Sequence, residues 1–276
     1  MLMETVSAGS GSIEVMFLRQ RGDDPFVSTP ERRAQIGEVA SRIARFISEA
    51  RSTLDIAIYD FRLHDEAAAI IADALRERAK NKVVIRIIYD ATTEPDGDTV
   101  PAGSLAHLEA DKKAPGAETF VRSFADIAQI KGITGYRVLM HSKYLVRDSD
   151  IDNAAIFLGS ANYTNDSWGL QENNLLQLRS RPLAVCFSKN FTNLLAAGKI
   201  AERPAVRDVD VVRVADVPVT VAFAPEQSPA IIKDYCWCDH SRAAATFGGF
   251  GGAFVGSDPR RVVGSHRPGH VVRRYL

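Results

Sequence analysis

The stretch from Thr53 to Asp90 constrains the fold more than any other. "TLDIAIYDF" (Thr53–Phe61) and "KVVIRIIYD" (Lys82–Asp90) are short apolar runs rich in isoleucine and valine. Such runs read as buried strands. Between them lies "DEAAAIIADALRERAK", an alanine-rich segment that reads as a helix. Strand, helix and strand with short connections make a βαβ unit, so the chain is expected to be α/β, with a parallel sheet under helical cover.

The flanks fit that class. "IEVMFL" (Ile13–Leu18) reads as a short strand, and "STPERRAQIGEVASRIARFISEA" as a helix. Thr29 suits its N-cap and Pro30 its first helical position. Ile36, Val39, Ala40, Ile43 and Ile47 recur at helical spacing and face a core. "TTEPDGDTVPAGS" reads as a long polar loop. "GYRVLMHSKYLVRD" and "AAIFLGSAN" read as a hairpin around the polar turn "SDIDN". "NNLLQLRS" is a further strand, and "LAVCFSKNFTNLLAAGKIA" a helix with Cys186 packed inside. "RPAVRDVDVVRVADVP" has the texture of a linker with strand propensity.

Composition narrows the setting. Hydrophobic residues make up 46% of 276, enough for a core without disulfides. The 34 basic and 34 acidic residues cancel, so bulk charge does not point to nucleic acid. Three cysteines do not make a secreted disulfide framework. There is no run of roughly 20 apolar residues that would span a membrane. The first residues lack the basic-then-apolar pattern of a signal peptide. A cytoplasmic protein without membrane insertion is expected.

The chemistry concentrates in "LMHSKYLVRD" (Leu139–Asp148). On a strand, residues two apart point to one side, so His141 and Lys143 project together. Ser160 and Asn162 share a face after the turn and, in a hairpin, lie beside that pair. Asp148 stands at an odd separation from His141 and reads as a structural hydrogen-bond anchor. This set suits attack on phosphorus. A neutral imidazole can act as nucleophile and become phospho-histidine. Lysine, serine and asparagine can donate hydrogen bonds to the oxygens where negative charge builds. A carboxylate on the other imidazole nitrogen would fix its tautomer, and Glu172 is the candidate. No metal or other cofactor is required. The candidate site is therefore His141, Lys143, Asp148, Ser160, Asn162 and Glu172.

These residues carry a resemblance. His141, Lys143 and Asp148, followed by Gly159, Ser160 and Asn162, resemble the HKD motif of the phospholipase D superfamily. "TLDIAIYDF" and "VVIRIIYD" are similar to the strands that lead into it, and the likeness runs from about Ile13 to Leu178. The resemblance implies an α/β sandwich with a mixed sheet flanked by helices. It implies His141 as nucleophile or general acid, phosphate held by Lys143 and Asn162 with help from Ser160, and Glu172 as orienting group. Members of the family use two such motifs: one histidine attacks and the other protonates the leaving alkoxide.

Only one motif is present. "VPVTVAFAPEQSP" (Val217–Pro229) repeats the pattern of "GSIEVMFLRQRGDDP" (Gly11–Pro25), which would start a second half near residue 215. A second motif at the corresponding distance would fall beyond residue 276. His240, His266 and His270 lack a lysine two positions on. The expected organisation is a catalytic half over 1–212, the start of a second half over 213–233, and an irregular or disordered tail over 234–276. The abrupt change of texture near Asp234 is read as a shifted reading frame. Within the tail, "CWCDH" reads as incidental, "GGFGG" as flexible and "RRVVGSHRPGHVVRR" as solvated. A homodimer is expected to supply the second histidine. The expected function is hydrolysis of a phosphodiester, in nucleic acid or phospholipid, through a phospho-histidine. The alternative is a catalytically incomplete fragment that only binds phosphate-bearing ligands.

Overall fold

The computed structural model describes residues 2–8, 11–24, 26–91, 117–135, 138–200, 211–223 and 253–257. The βαβ unit forms as the apolar runs require. Strand β3 (Thr53–Ile58) pairs in parallel with β5 (Val84–Asp90), and helix α2 (Asp65–Lys80) links them through the short strand β4 (Phe61–Arg62). The chain enters through β1 (Leu2–Ala8) and β2 (Gly11–Phe17), an antiparallel pair, and then α1 (Pro30–Ser48). Thr29 caps α1: its hydroxyl accepts from the Arg32 N–H at 3.2 Å. Beyond β5 come α3 (Ala117–Arg122), β6 (Ala128–Ile133), β7 (Lys143–Arg147), β8 (Ala155–Gly159) and β9 (Tyr163–Thr164). They are followed by α4 (Asn165–Gly169), β10 (Asn174–Arg179) and α5 (Arg181–Ala197). Strands β11 (Val212–Val214), β12 (Val217–Phe223) and β13 (Ala253–Ser257) form a small separate sheet.

The main sheet has eight strands in the order β1-β2-β10-β8-β7-β3-β5-β6. Parallel pairs join β3, β5 and β6; all other neighbours are antiparallel. The fold is thus a mixed sheet between helical layers. Strand alternation sends side chains into two cores. Leu54, Ile56, Ile85, Ile87, Leu145, Phe157 and Leu175 meet α1 and α2 on one face. Ala57, Ile88, Tyr144, Val146, Ile156 and Leu176 meet α5 on the other. Val219, Val221 and Phe223 of β12 join that second core, where the Phe223 ring lies 5.2 Å from Phe187 of α5. Cys186 is buried there, as expected.

A partly buried ion pair pins α5 to the sheet centre. Arg86 donates twice to the Asp55 carboxylate at 2.7 Å, and the Ser188 hydroxyl adds a bond at 3.0 Å. The Arg86 guanidinium also lies 5.0 Å from the Phe191 ring centroid.

Some expectations change. "LMHSKYLVRD" is not one strand: β7 begins only at Lys143, and His141 sits in irregular chain before it. There the Met140 N–H donates to the Asp90 carboxylate at 2.7 Å instead of to a neighbouring strand. β1 had no strand signal, and β13 lies inside the stretch read as irregular. The remainder of 224–276, including "CWCDH", "GGFGG" and the arginine-rich end, lies outside the described residues, as does the polar loop at 92–104. Among the described residues, no helix is long and apolar enough to cross a membrane.

Candidate active site

Topology gathers the chemistry at one end of the sheet. β3 and β5 finish there, while β7, antiparallel to β3, starts there. The pair Tyr144–Leu158 sets the hairpin register, so the start of β7 at Lys143 lies beside the end of β8 at Gly159. Ser160 and Asn162 follow directly. The Tyr163 N–H donates to the Asp60 carbonyl at 2.9 Å and closes the short β4–β9 ladder. This bond draws Asn162 in beside the residues that end β3.

Lys143 is buried, with 7% of its surface exposed. Its Nζ donates to the His141 carbonyl at 3.3 Å and lies 5.0 Å from the Tyr59 ring centroid. The Tyr59 and His141 rings meet edge-on, their centroids 4.5 Å apart. His141 and Lys143 therefore do come together, through a shared ring rather than the pleat of one strand. Burial pulls the Lys143 amine down to about 7, against the opposing pull of Asp60 and Asp90. Burial also pushes the Asp60 carboxyl up, although Arg62 donates to both its oxygens at 3.0 and 3.1 Å. For both groups the loss of water outweighs the neighbouring charge.

Ser160 is held in place by the start of β10. Its hydroxyl donates to the Asn173 side-chain oxygen at 2.8 Å and accepts from the Asn174 N–H at 3.0 Å. The Asn173 amide in turn donates to the Ser167 carbonyl at 3.0 Å. Among the described residues, the buried Asn162 side-chain oxygen has no hydrogen-bond partner. A buried polar atom without a partner is costly, and this oxygen can only accept, whereas the amide nitrogen beside it can donate.

The other two candidates stand elsewhere. Glu172 is exposed and forms no hydrogen bond with His141; in that turn Asn173 points inward instead. The role of orienting group for His141 is therefore not filled by Glu172. Asp148 lies at the opposite end of β7, fully buried at φ 53°. Its carboxylate accepts from the N–H groups of Arg51, Ser52 and Thr53 at 2.7–3.1 Å and from the Asn153 amide. It ties the α1–β3 connection to the β7–β8 turn. Asp148→Ala strands three backbone donors and places alanine in a left-handed conformation. We expect a loss of about 3–5 kcal/mol in urea unfolding, with a smaller loss for Asp148→Asn, which keeps an acceptor and tolerates that backbone.

Tyr59 and Asn173 were not among the sequence candidates. Tyr59 ends an apolar strand, which gives it the pattern of a core residue; Tyr163 and Trp168, which flank the motif in sequence and suit either a pocket wall or the core, are fully buried. Among the described residues, no cluster of three or more His, Cys, Asp or Glu side chains could hold a metal ion.

The family model described as cardiolipin synthase, PLD-like domain, matches residues 43–195, more than half of the chain. The chain belongs to the phospholipase D superfamily. Among solved structures, NucT from Helicobacter pylori is similar over 67% of this chain and 96% of its own, at 18% identity and a TM-score of 0.41. Nuc from Salmonella typhimurium, a phospholipase D family member, is similar over 67% and 95%, at 15% identity and 0.42. The phosphatidylserine synthase of Haemophilus influenzae Rd KW20 is similar over 67% and 38%, at 15% identity and 0.39. No curated protein matches the chain.

Proposed function

We propose that this chain hydrolyses a phosphodiester, in nucleic acid or phospholipid, through a phospho-histidine on His141. The observation that supports the reading most is the seating of His141 and Lys143 against one ring, at the sheet end where Ser160 and Asn162 also emerge. A lone pair on the imidazole attacks phosphorus, and the bond to the leaving alkoxide breaks. Lys143 and Asn162 donate to the non-bridging oxygens as charge builds. Ser160 keeps the turn that carries Asn162 in register. Water then hydrolyses the phosphorus–nitrogen bond.

The leaving oxygen needs a proton, and water must later lose one. A second histidine serves both steps. The chain has one H-x-K pair, so a second copy, related by a twofold axis, supplies the other His141. The test is a mixed dimer, purified through two different tags, with one wild-type and one His141→Ala chain. It is assayed on bis(p-nitrophenyl) phosphate with EDTA present. The expected result is wild-type dimer turnover that survives the chelator and a mixed dimer without turnover. A mixed dimer with half the wild-type rate would show that each chain works alone.

A further inference from the structure

The proposed reaction uses His141 and Lys143, and both rest on a ring that takes no part in it. The Tyr59 N–H donates to the Ser142 carbonyl at 2.7 Å, which carries the β3–β7 pairing one step past Ile58–Lys143. That bond fixes the Tyr59 backbone against the segment bearing both groups. Its ring, 7% exposed, then meets the His141 ring at 4.5 Å and an interplanar angle of 63°, with the Lys143 nitrogen 5.0 Å from its centroid. We propose that Tyr59 is a positioning residue for both groups: its ring face seats the Lys143 ammonium and its body fixes the plane of the His141 imidazole. This rests on the reading of His141 and Lys143 as the reacting pair.

The need for such a seat follows from the burial of Lys143. An ammonium has three donors, and among the described residues Nζ makes one hydrogen bond, to the His141 carbonyl. An aromatic face attracts a cation most when water is excluded. The other groups that act on Lys143 are already engaged. Asp60 is tied to Arg62 and also feels Asp166, and Asp90 accepts from Met140. Both carboxylates favour the charged amine from a distance but do not aim it. The ring lies against both Lys143 and His141, and it can be altered without changing any charge.

The experiment uses the full chain with Tyr59→Phe, then with mono-, di- and trifluorinated phenylalanine in place of Tyr59, beside Tyr59→Leu. Fluorination keeps the ring shape and strips the negative face. The Lys143 titration is read by competitive amine labelling across pH with mass spectrometry, and kcat/KM on bis(p-nitrophenyl) phosphate at pH 7. Tyr59→Phe should leave the Lys143 titration where it is in the wild type. The fluorinated series should lower it in steps, by about one unit at trifluoro, with a loss of roughly five- to tenfold in kcat/KM. A flat series overturns the proposal. So does a Tyr59→Phe chain already shifted as far as Tyr59→Leu, which would assign the effect to the hydroxyl. Labelling needs no turnover, so an inactive wild type would refute the phosphodiesterase reading while the seat is still decided.

Discussion

His141→Ala is expected to lower kcat/KM for a chromogenic phosphodiester by at least about 10⁴-fold while the chain stays folded. The size follows from the dual use of one residue. In a symmetric site the substitution removes the nucleophile from one chain and the proton donor from the other. Neither of the other carboxylates weighed for the site replaces them: Glu172 is exposed, and Asp148 is sequestered at the far end of β7. Stability should change little, because His141 lies in irregular chain just before the β7 ladder starts. Steady-state kinetics and a thermal melt check both halves. A variant that retains more than a hundredth of wild-type kcat/KM contradicts the assignment.

Lys143→Met should separate activity from stability. Loss of the cation proposed to bind phosphate should cost about 10²–10³-fold in kcat/KM. The same change should make the fold more stable. The Lys143 amine falls to about 7 in the folded site, from an ordinary value of 10.5. Below pH 7 both folded and unfolded chains hold the proton, and the fold bears the full cost of a buried ammonium. Between pH 7 and 10.5 the unfolded chain keeps a proton that the folded site releases, so stability rises with pH. Above 10.5 the contribution vanishes. Methionine removes the cost, so Lys143→Met should gain about 2–4 kcal/mol at pH 6, and the gain should shrink toward pH 10. Urea unfolding at the two pH values reads this directly. A variant less stable than wild type at pH 6 would contradict the burial argument. The balance has a simple origin: the site keeps a cation where water would otherwise hold it.

The parts readable from sequence are those set by local pattern. β3 and β5 appear as apolar runs because the centre of a doubly covered sheet buries both faces of a strand. α1 declares itself through Thr29, Pro30 and the spacing of Val39, Ile43 and Ile47. H-x-K and G-S-x-N are visible because each lies within a few residues. What stayed hidden depends on distant partners. The late start of β7 reflects the Asp90 carboxylate, 50 residues away, which captures the Met140 N–H. Glu172 lost the inward position to Asn173 because the Ser160 hydroxyl, 13 residues upstream, takes the asparagine. Tyr59 has the sequence environment of any core aromatic; only the register against Ser142 reveals what its ring supports.

The central claim is that His141 attacks phosphorus, and trapping tests it most directly. The wild-type chain is mixed with a diester labelled at phosphorus and quenched within one turnover in alkaline denaturant, which preserves a phosphorus–nitrogen bond. Peptide mass spectrometry then locates the label. The account predicts a phosphoryl adduct on His141, at about one per two chains, and none in His141→Ala. Turnover with no adduct, or with the adduct on another residue, would contradict it.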